Sequence, residues 1–358
     1  MKKLLSLLLV LTLVFSMLAC SKYEPVKSTE EEREVIMTLS FDTEEYQVRY
    51  ELYRALFLSY KSVVDGGDES VWAKDGRDEY IKQINELVID FAAEIFSAIH
   101  VCEKTVGYDL YSSDADGRVE QMVVESIEGG DGTMGHGTYE AYLEFLKKQN
   151  LNYSVQDLIF RYYLALEKID EYYVGSTVDT GLSDDDSTLP AVTVSLQSVR
   201  EFYYSDNCAR ALYSYFALTA QKDLTAFRNE LAYAAKSGKA AVLEIARQKS
   251  ICDEIFLARH AYNSAFNDIK ERIFSLPEGE VSEVIKIDST GEATIDGYYI
   301  LYSIEKNEDD FINNYSDIKL SYLSEKMGSE LAVSKGALKS AVSYADAYTS
   351  LDHSKIAM

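Results

Sequence analysis

Between residues 46 and 173 apolar side chains keep returning at helical spacing, and from Cys208 onward that period gives way to mixed strands and helices. The change of period confines the chain to an α+β class: a mainly helical first part, a smaller mixed unit and a helical end. Val48, Leu52, Leu56, Tyr60 and Val63 mark one helix, closed by Asp65-Gly66-Gly67-Asp68. Ile84, Val88, Phe91, Ile95 and Ile99 mark a second, over about 79–102. Ser113-Asp114-Ala115-Asp116 starts a third, and a glycine-rich run over 128–137 interrupts before a short helix over 139–148. Ser154 with Asp157 has the spacing of a capping box, which opens a helix over 158–173. Ahead of all these, 35–39 reads as a short strand. Phe41-Asp42-Thr43-Glu44-Glu45 reads as a helix start, because Asp or Thr can cap free amides and glutamates suit the first turn.

Residues 175–190, with SDDDST, read as an exposed loop. Ser195 caps a helix over 199–204, and 209–216 reads as a strand. Residues 223–249 are helical with a break at Ser237-Gly238, and 252–274 continue as helix. Two strands follow, over 281–287 and 297–304, joined by a Gly- and Asp-containing loop. The last fifty residues are helical, carrying Ile312, Ile318, Leu323, Met327, Leu331 and Leu338.

The first twenty residues set the compartment. Lys2 and Lys3 precede an apolar stretch over 4–18, which Ala19-Cys20 closes. A run this short with one basic end reads as an export signal rather than a spanning helix. With its cysteine it resembles the lipobox of bacterial lipoproteins. That resemblance implies acylation of Cys20, residues 1–19 as a removed signal peptide, and anchoring to the outer face of the cytoplasmic membrane. Met17 and Leu18 depart from the usual box. Residues 20–34, polar and charged, read as a flexible tether.

The chain carries 35 Lys+Arg against 60 Asp+Glu, a net charge of −25. Such a balance argues against nucleic acid, which needs a basic footprint, and against electrostatic adhesion to anionic lipid. Twenty-eight tyrosines supply apolar rings with polar tips, for boundaries of a core or for gripping peptides. Cys102, Cys208 and Cys252 form no CxxC pair and read as free thiols, with one long-range bridge open. His100, His136, His260 and His353 lack ligand spacing, so neither metal nor cofactor is expected.

The mixed unit carries a more specific pattern. FSLPEGEVSEVI, over 274–285, followed by Gly297-Tyr298-Tyr299-Ile300-Leu301, resembles the C-terminal half of a parvulin peptidyl-prolyl isomerase domain. SLQSVREFYYSDN, over 195–207, is similar to that family's lead-in, and 207–213 falls where its first strand lies. The helical block before it resembles the N-terminal domain of SurA/PrsA-type extracytoplasmic foldases. The resemblance implies a helical peptide-binding domain over 35–205 and a parvulin-like domain over 206–306 with a four-stranded antiparallel sheet. It also implies a C-terminal helix, 307–358, that packs back. Unfolded or exported polypeptides would be the partners.

In parvulins two histidines sit under an apolar proline pocket. Here Tyr299 takes one position, and Arg210 or Ala211 the other, two choices on opposite faces of a strand. The pocket phenylalanine position is Ile269, with Phe266 one turn earlier as a substitute. Arg210, Ala211, Phe266, Ile269 and Tyr299 are therefore the candidate peptide pocket. Loss of the imidazoles implies weak or absent isomerase activity. Two other classes are open to an exported chain of this kind. A solute-binding lipoprotein needs alternating strands and helices throughout, which the first 190 residues lack; a structural envelope lipoprotein would show a stable partner and no client.

Overall fold

The computed structural model describes residues 23, 26–73, 77–129, 134–175, 191–219, 223–261, 266–288 and 296–357. Cys20, residues 1–19 expected as a signal peptide, and the SDDDST stretch expected as a loop lie outside them. The chain divides into two compact units, one of residues up to 168 with those from 333 onward, the other of residues 169–332. Among the described residues no helix is long and apolar enough to cross a membrane.

The first unit opens with a hairpin, β1 (Val35–Phe41) and β2 (Glu44–Arg49). Asp42 takes φ 53°, a left-handed conformation that a two-residue turn requires and Asp tolerates. This corrects the helix start expected at Phe41–Glu45. Those residues form a hairpin, and α1 (Tyr50–Asp65) begins nine residues after Phe41. β1 is central, pairing antiparallel with β2 and with β7 (Val342–Tyr344) from the far end of the chain. The region expected to be helical thus contains a three-stranded sheet.

Helix α1 ends on Gly66, at φ 62°. Three more helices follow in this unit, α2 (Arg77–Val101), α3 (Ser113–Glu128) and α4 (Tyr139–Lys148). Ser112 and Thr138 cap α3 and α4 through their side chains. α5 (Tyr153–Tyr173) starts earlier than the Ser154–Asp157 pattern suggested. Asn152 accepts from the Val155 N–H at 2.9 Å and is the cap, which leaves Ser154 free to bond elsewhere. Buried Tyr53, Phe57, Ile84, Ile95 and Leu164 belong to this unit's core.

The second unit holds α6 (Leu196–Tyr204), β3 (Cys208–Phe216), α7 (Leu224–Ala235), α8 (Lys239–Lys249), β4 (Ile251–Ala258), α9 (Asn267–Ser275), β5 (Ile285–Ile287) and β6 (Gly297–Ser303). The strands form an antiparallel sheet in the order β4-β3-β6-β5. The helix expected over 252–274 is therefore a strand followed by a separate short helix. Partial burial on both faces of β4 had hidden its alternation. α7 and α8 cover one face through Phe227, Leu231, Val242 and Ala246, packed on Leu212, Phe216, Ile300 and Tyr302. The other face packs Ala211, Leu257, Tyr299 and Leu301 against Ile269 and Ile273 of α9.

The chain continues through α10 (Glu308–Asn313) and the long α11 (Tyr315–Ser340) to two short helices, α12 (Asp346–Ser350) and α13 (His353–Ala357). Residues from 333 onward return to the first unit. There Lys335 Nζ lies 2.8 Å from Asp90 and 3.0 Å from Glu94 of α2.

Candidate functional site

Four of the five pocket residues expected from the sequence share a surface. Ala211, Phe266, Ile269 and Tyr299 all pack into the layer between the sheet and α9. Arg210 does not join them. Adjacent residues of a strand point to opposite faces, so its side chain leaves on the other side. There its guanidinium bonds Glu254 at 2.5 Å, pairs with Asp310 and lies over the Phe256 ring. Lys239 reaches the same Glu254 at 2.8 Å. Arg210 is thus a buried structural cation, which removes it from the proposed pocket.

Tyr299 also sits differently from the expectation. Its cross-strand neighbour is Tyr215, whereas Ala211 stands opposite Ser303. Four residues along a strand is about 13 Å, so Tyr299 and Ala211 share a face without being neighbours. Tyr213, Tyr215, Tyr299 and Phe266 instead make an aromatic run, with successive ring centroids 5.3–6.3 Å apart. Burial, reinforced by Tyr215 and Tyr213, pushes the Tyr299 hydroxyl up to about 12. The hydroxyl therefore keeps its proton at neutral pH and can donate a hydrogen bond but does not exchange the proton as an acid or base. His260 stands apart from this run, its Nδ1 2.5 Å from Glu325 of α11.

The first unit carries what the sequence did not reveal. Three clefts, of about 560, 410 and 520 Å³, open around the start of α5. Val26 and Tyr153 line both the first and the third, Ser154 and Asp157 both the first and the second, and Glu51 both the second and the third. Their apolar walls come from Val119, Leu52, Phe96, Leu143, Leu146 and Leu158, with Tyr46, Tyr50, Tyr111 and Tyr153 at the borders.

Two polar clusters fix this geometry. Glu51, buried at the first turn of α1, accepts from Ser28 at 2.5 Å, Asn152 at 2.8 Å and Ser154 at 2.9 Å. Arg161 bonds Asp157 and Asp116, each at 2.8 Å, donates to the Leu110 carbonyl and stacks over Tyr111. Burial alone would weaken its charge, but Asp157 and Asp116 hold it in place. The tether expectation is corrected for part of its length: Ser28 and Glu32 are bonded onto α1, the Glu51 N–H reaching the Glu32 carbonyl at 3.0 Å. Ser154 and Asp157, which the sequence offers only as cap residues, line two of the clefts.

Among the described residues no group of three or more His, Cys, Asp or Glu side chains converges as a metal requires. Cys102, Cys208 and Cys252 are unpaired, the first two buried. Burial pushes the Cys102 and Cys208 thiols up to about 12, so neither is a ready nucleophile.

No known protein-family model matches the chain, and no curated protein matches it. Similar solved structures include the foldase protein PrsA of Lactococcus lactis, at 14% identity and TM-score 0.25, covering 90% of this chain and 98% of that one. PrsA of Bacillus subtilis is similar at 15% identity and TM-score 0.24, covering 86% of this chain and 92% of that one. For PrsA of Streptococcus pneumoniae the values are 14% and 0.27, covering 77% and 97%.

Proposed function

We propose that the chain is a membrane-anchored folding factor outside the cytoplasm. It holds exposed segments of unfolded exported polypeptides in the adjacent clefts of its first unit. The observation that carries this reading is a set of three clefts, each pair sharing lining residues among Glu51, Tyr153 and Ser154, with apolar walls and tyrosine borders. Apolar area gives such a surface grip without demanding one sequence, and tyrosine tips accommodate polar backbone. Acylation at Cys20, read from the lipobox resemblance, would keep this surface where exported chains emerge.

The sheet of the second unit serves as an accessory surface with weak or absent isomerase activity. An isomerase must hold a twisted amide better than a planar one, against a barrier of about 18–20 kcal/mol. Among the described residues the face that carries Tyr299 packs aromatic rings and no imidazole. The test uses the mature chain without lipid and a client that aggregates on dilution from denaturant. The chain should slow aggregation at stoichiometric amounts and leave a proline-limited refolding phase of tens of seconds nearly unchanged. Aggregation proceeding as in its absence removes the folding-factor reading.

A further inference from the structure

Strand β2 is an edge strand, and its open side borders the 410 Å³ cleft. The hairpin geometry tells which of its backbone groups are available. Phe41 and Glu44 flank a two-residue turn and so bond each other, after which bonding alternates along the ladder. Tyr46 and Val48 therefore turn their amides toward β1, while Glu45 and Gln47 turn theirs outward. The far side of β1 agrees: the Ser40 N–H points away from β2, to the Ala341 carbonyl at 3.0 Å. Tyr111, Val155 and Leu158 line the same cleft as Glu45 and Gln47.

We infer that an extended polypeptide segment binds here by adding a strand to β2. The segment would run antiparallel or parallel to β2, pairing its backbone with Glu45 and Gln47 and placing alternate side chains against Tyr46, Phe96, Tyr111 and Leu158. Backbone pairing is indifferent to sequence, while pockets for alternate side chains supply preference. Asp157 is paired with Arg161, which leaves Glu45 and Glu51 against Arg49 in the cleft, so the favoured segment combines apolar residues with a lysine or arginine. Folded proteins compete poorly because most of their strands are paired and their exposed edges are short, charged or covered. This inference rests on the folding-factor reading and names how that site recognises its clients.

The test measures binding of a fluorescently labelled, permanently unfolded polypeptide, reduced and carboxymethylated lactalbumin, to the mature chain. Proline is tolerated on an edge strand where its nitrogen faces outward, so Gln47→Pro deletes one outward donor and leaves the β1 ladder intact. Gln47→Pro should weaken binding at least fivefold with an unchanged circular dichroism spectrum, and Gln47→Ala, which keeps the outward N–H, should weaken it less. Hydrogen exchange supplies a readout free of mutation: the Glu45 and Gln47 amides should gain protection in the complex. If the parent binds and neither effect is seen, strand addition is wrong and the folding-factor reading stands. If the parent does not bind the polypeptide, both fail.

Discussion

Tyr215 and Tyr299 face one another across the central strand pair of the four-stranded sheet, their ring centroids 5.3 Å apart. Tyr299, which the sequence resemblance set at a histidine position, is one ring of an aromatic layer. Such a ring is structural before it is anything else. Tyr299→Ala should cost about 3 kcal/mol of stability in urea denaturation, the usual loss for a large buried aromatic. The rate of a proline-limited refolding reaction should not change. A fall in that rate, with the fold intact, would assign Tyr299 a catalytic role instead.

Gly297 opens β6 against the same layer. A Cβ there would collide with the Tyr215 ring and sit 2.7 Å from the Phe216 carbonyl. Gly297→Ala should destabilise the protein by about 1–3 kcal/mol, as overpacking does. Thermal unfolding followed by circular dichroism checks this, and a neutral result would mean that the strand end yields freely.

In the first unit Asp65 ends α1 as a buried carboxylate. It accepts from Gly67 N–H at 2.8 Å, Trp72 Nε1 at 2.9 Å and Lys61 Nζ at 3.0 Å. Burial raises its pKa, but the Trp72, Gly67 and Lys61 hydrogen bonds outweigh that and hold it below the usual range. Asp65→Ala removes the buried acceptor that Gly67, Trp72 and Lys61 share and should cost about 1–3 kcal/mol. Urea denaturation of the variant is the measurement.

The C-terminal latch responds to acid. His353 Nε2 lies 3.0 Å from the Tyr53 hydroxyl, which donates to Asn85 at 2.6 Å. Burial lowers the His353 pKa from 6.5, opposed by Asp352, the Leu351 backbone and Asp78 and aided by Arg77. A depressed histidine is neutral in the fold, so the unfolded chain binds the extra proton below 6.5. This contribution to stability is complete above pH 6.5. It falls away as pH drops, until His353 protonates in the folded chain too. Limited proteolysis near residue 353 should accelerate between pH 7 and 5.5, and His353→Gln should flatten that part of the dependence.

The sequence resolves the elements whose period is unambiguous. α2, α4, α6 and the break between α7 and α8 stand where spacing and caps put them. It misreads β2 because Val48 continues the Leu52–Leu56 spacing, so a strand and the helix after it look like one helix. β4 fails for another reason: both of its faces are partly buried, and Ile251, Ile255 and Ala258 fall at i, i+4 and i+7 by coincidence. The shared face of Ala211, Phe266, Ile269 and Tyr299 was legible from the motif around residues 274–301. Arg210 was not, because strand parity depends on where β3 starts. The clefts were invisible because they form between residues from 26 to 161 that no local pattern connects.

The most direct measurement places a photo-cross-linking amino acid at Tyr153 or Tyr111 in the clefts, and at exposed Tyr233 of α7 as reference. The account predicts strong cross-links from residues 153 and 111 to an unfolded client, weak ones from 233, and none to the same client once folded. Cross-links of equal strength from all three positions, or a client captured only through residue 233, would contradict it.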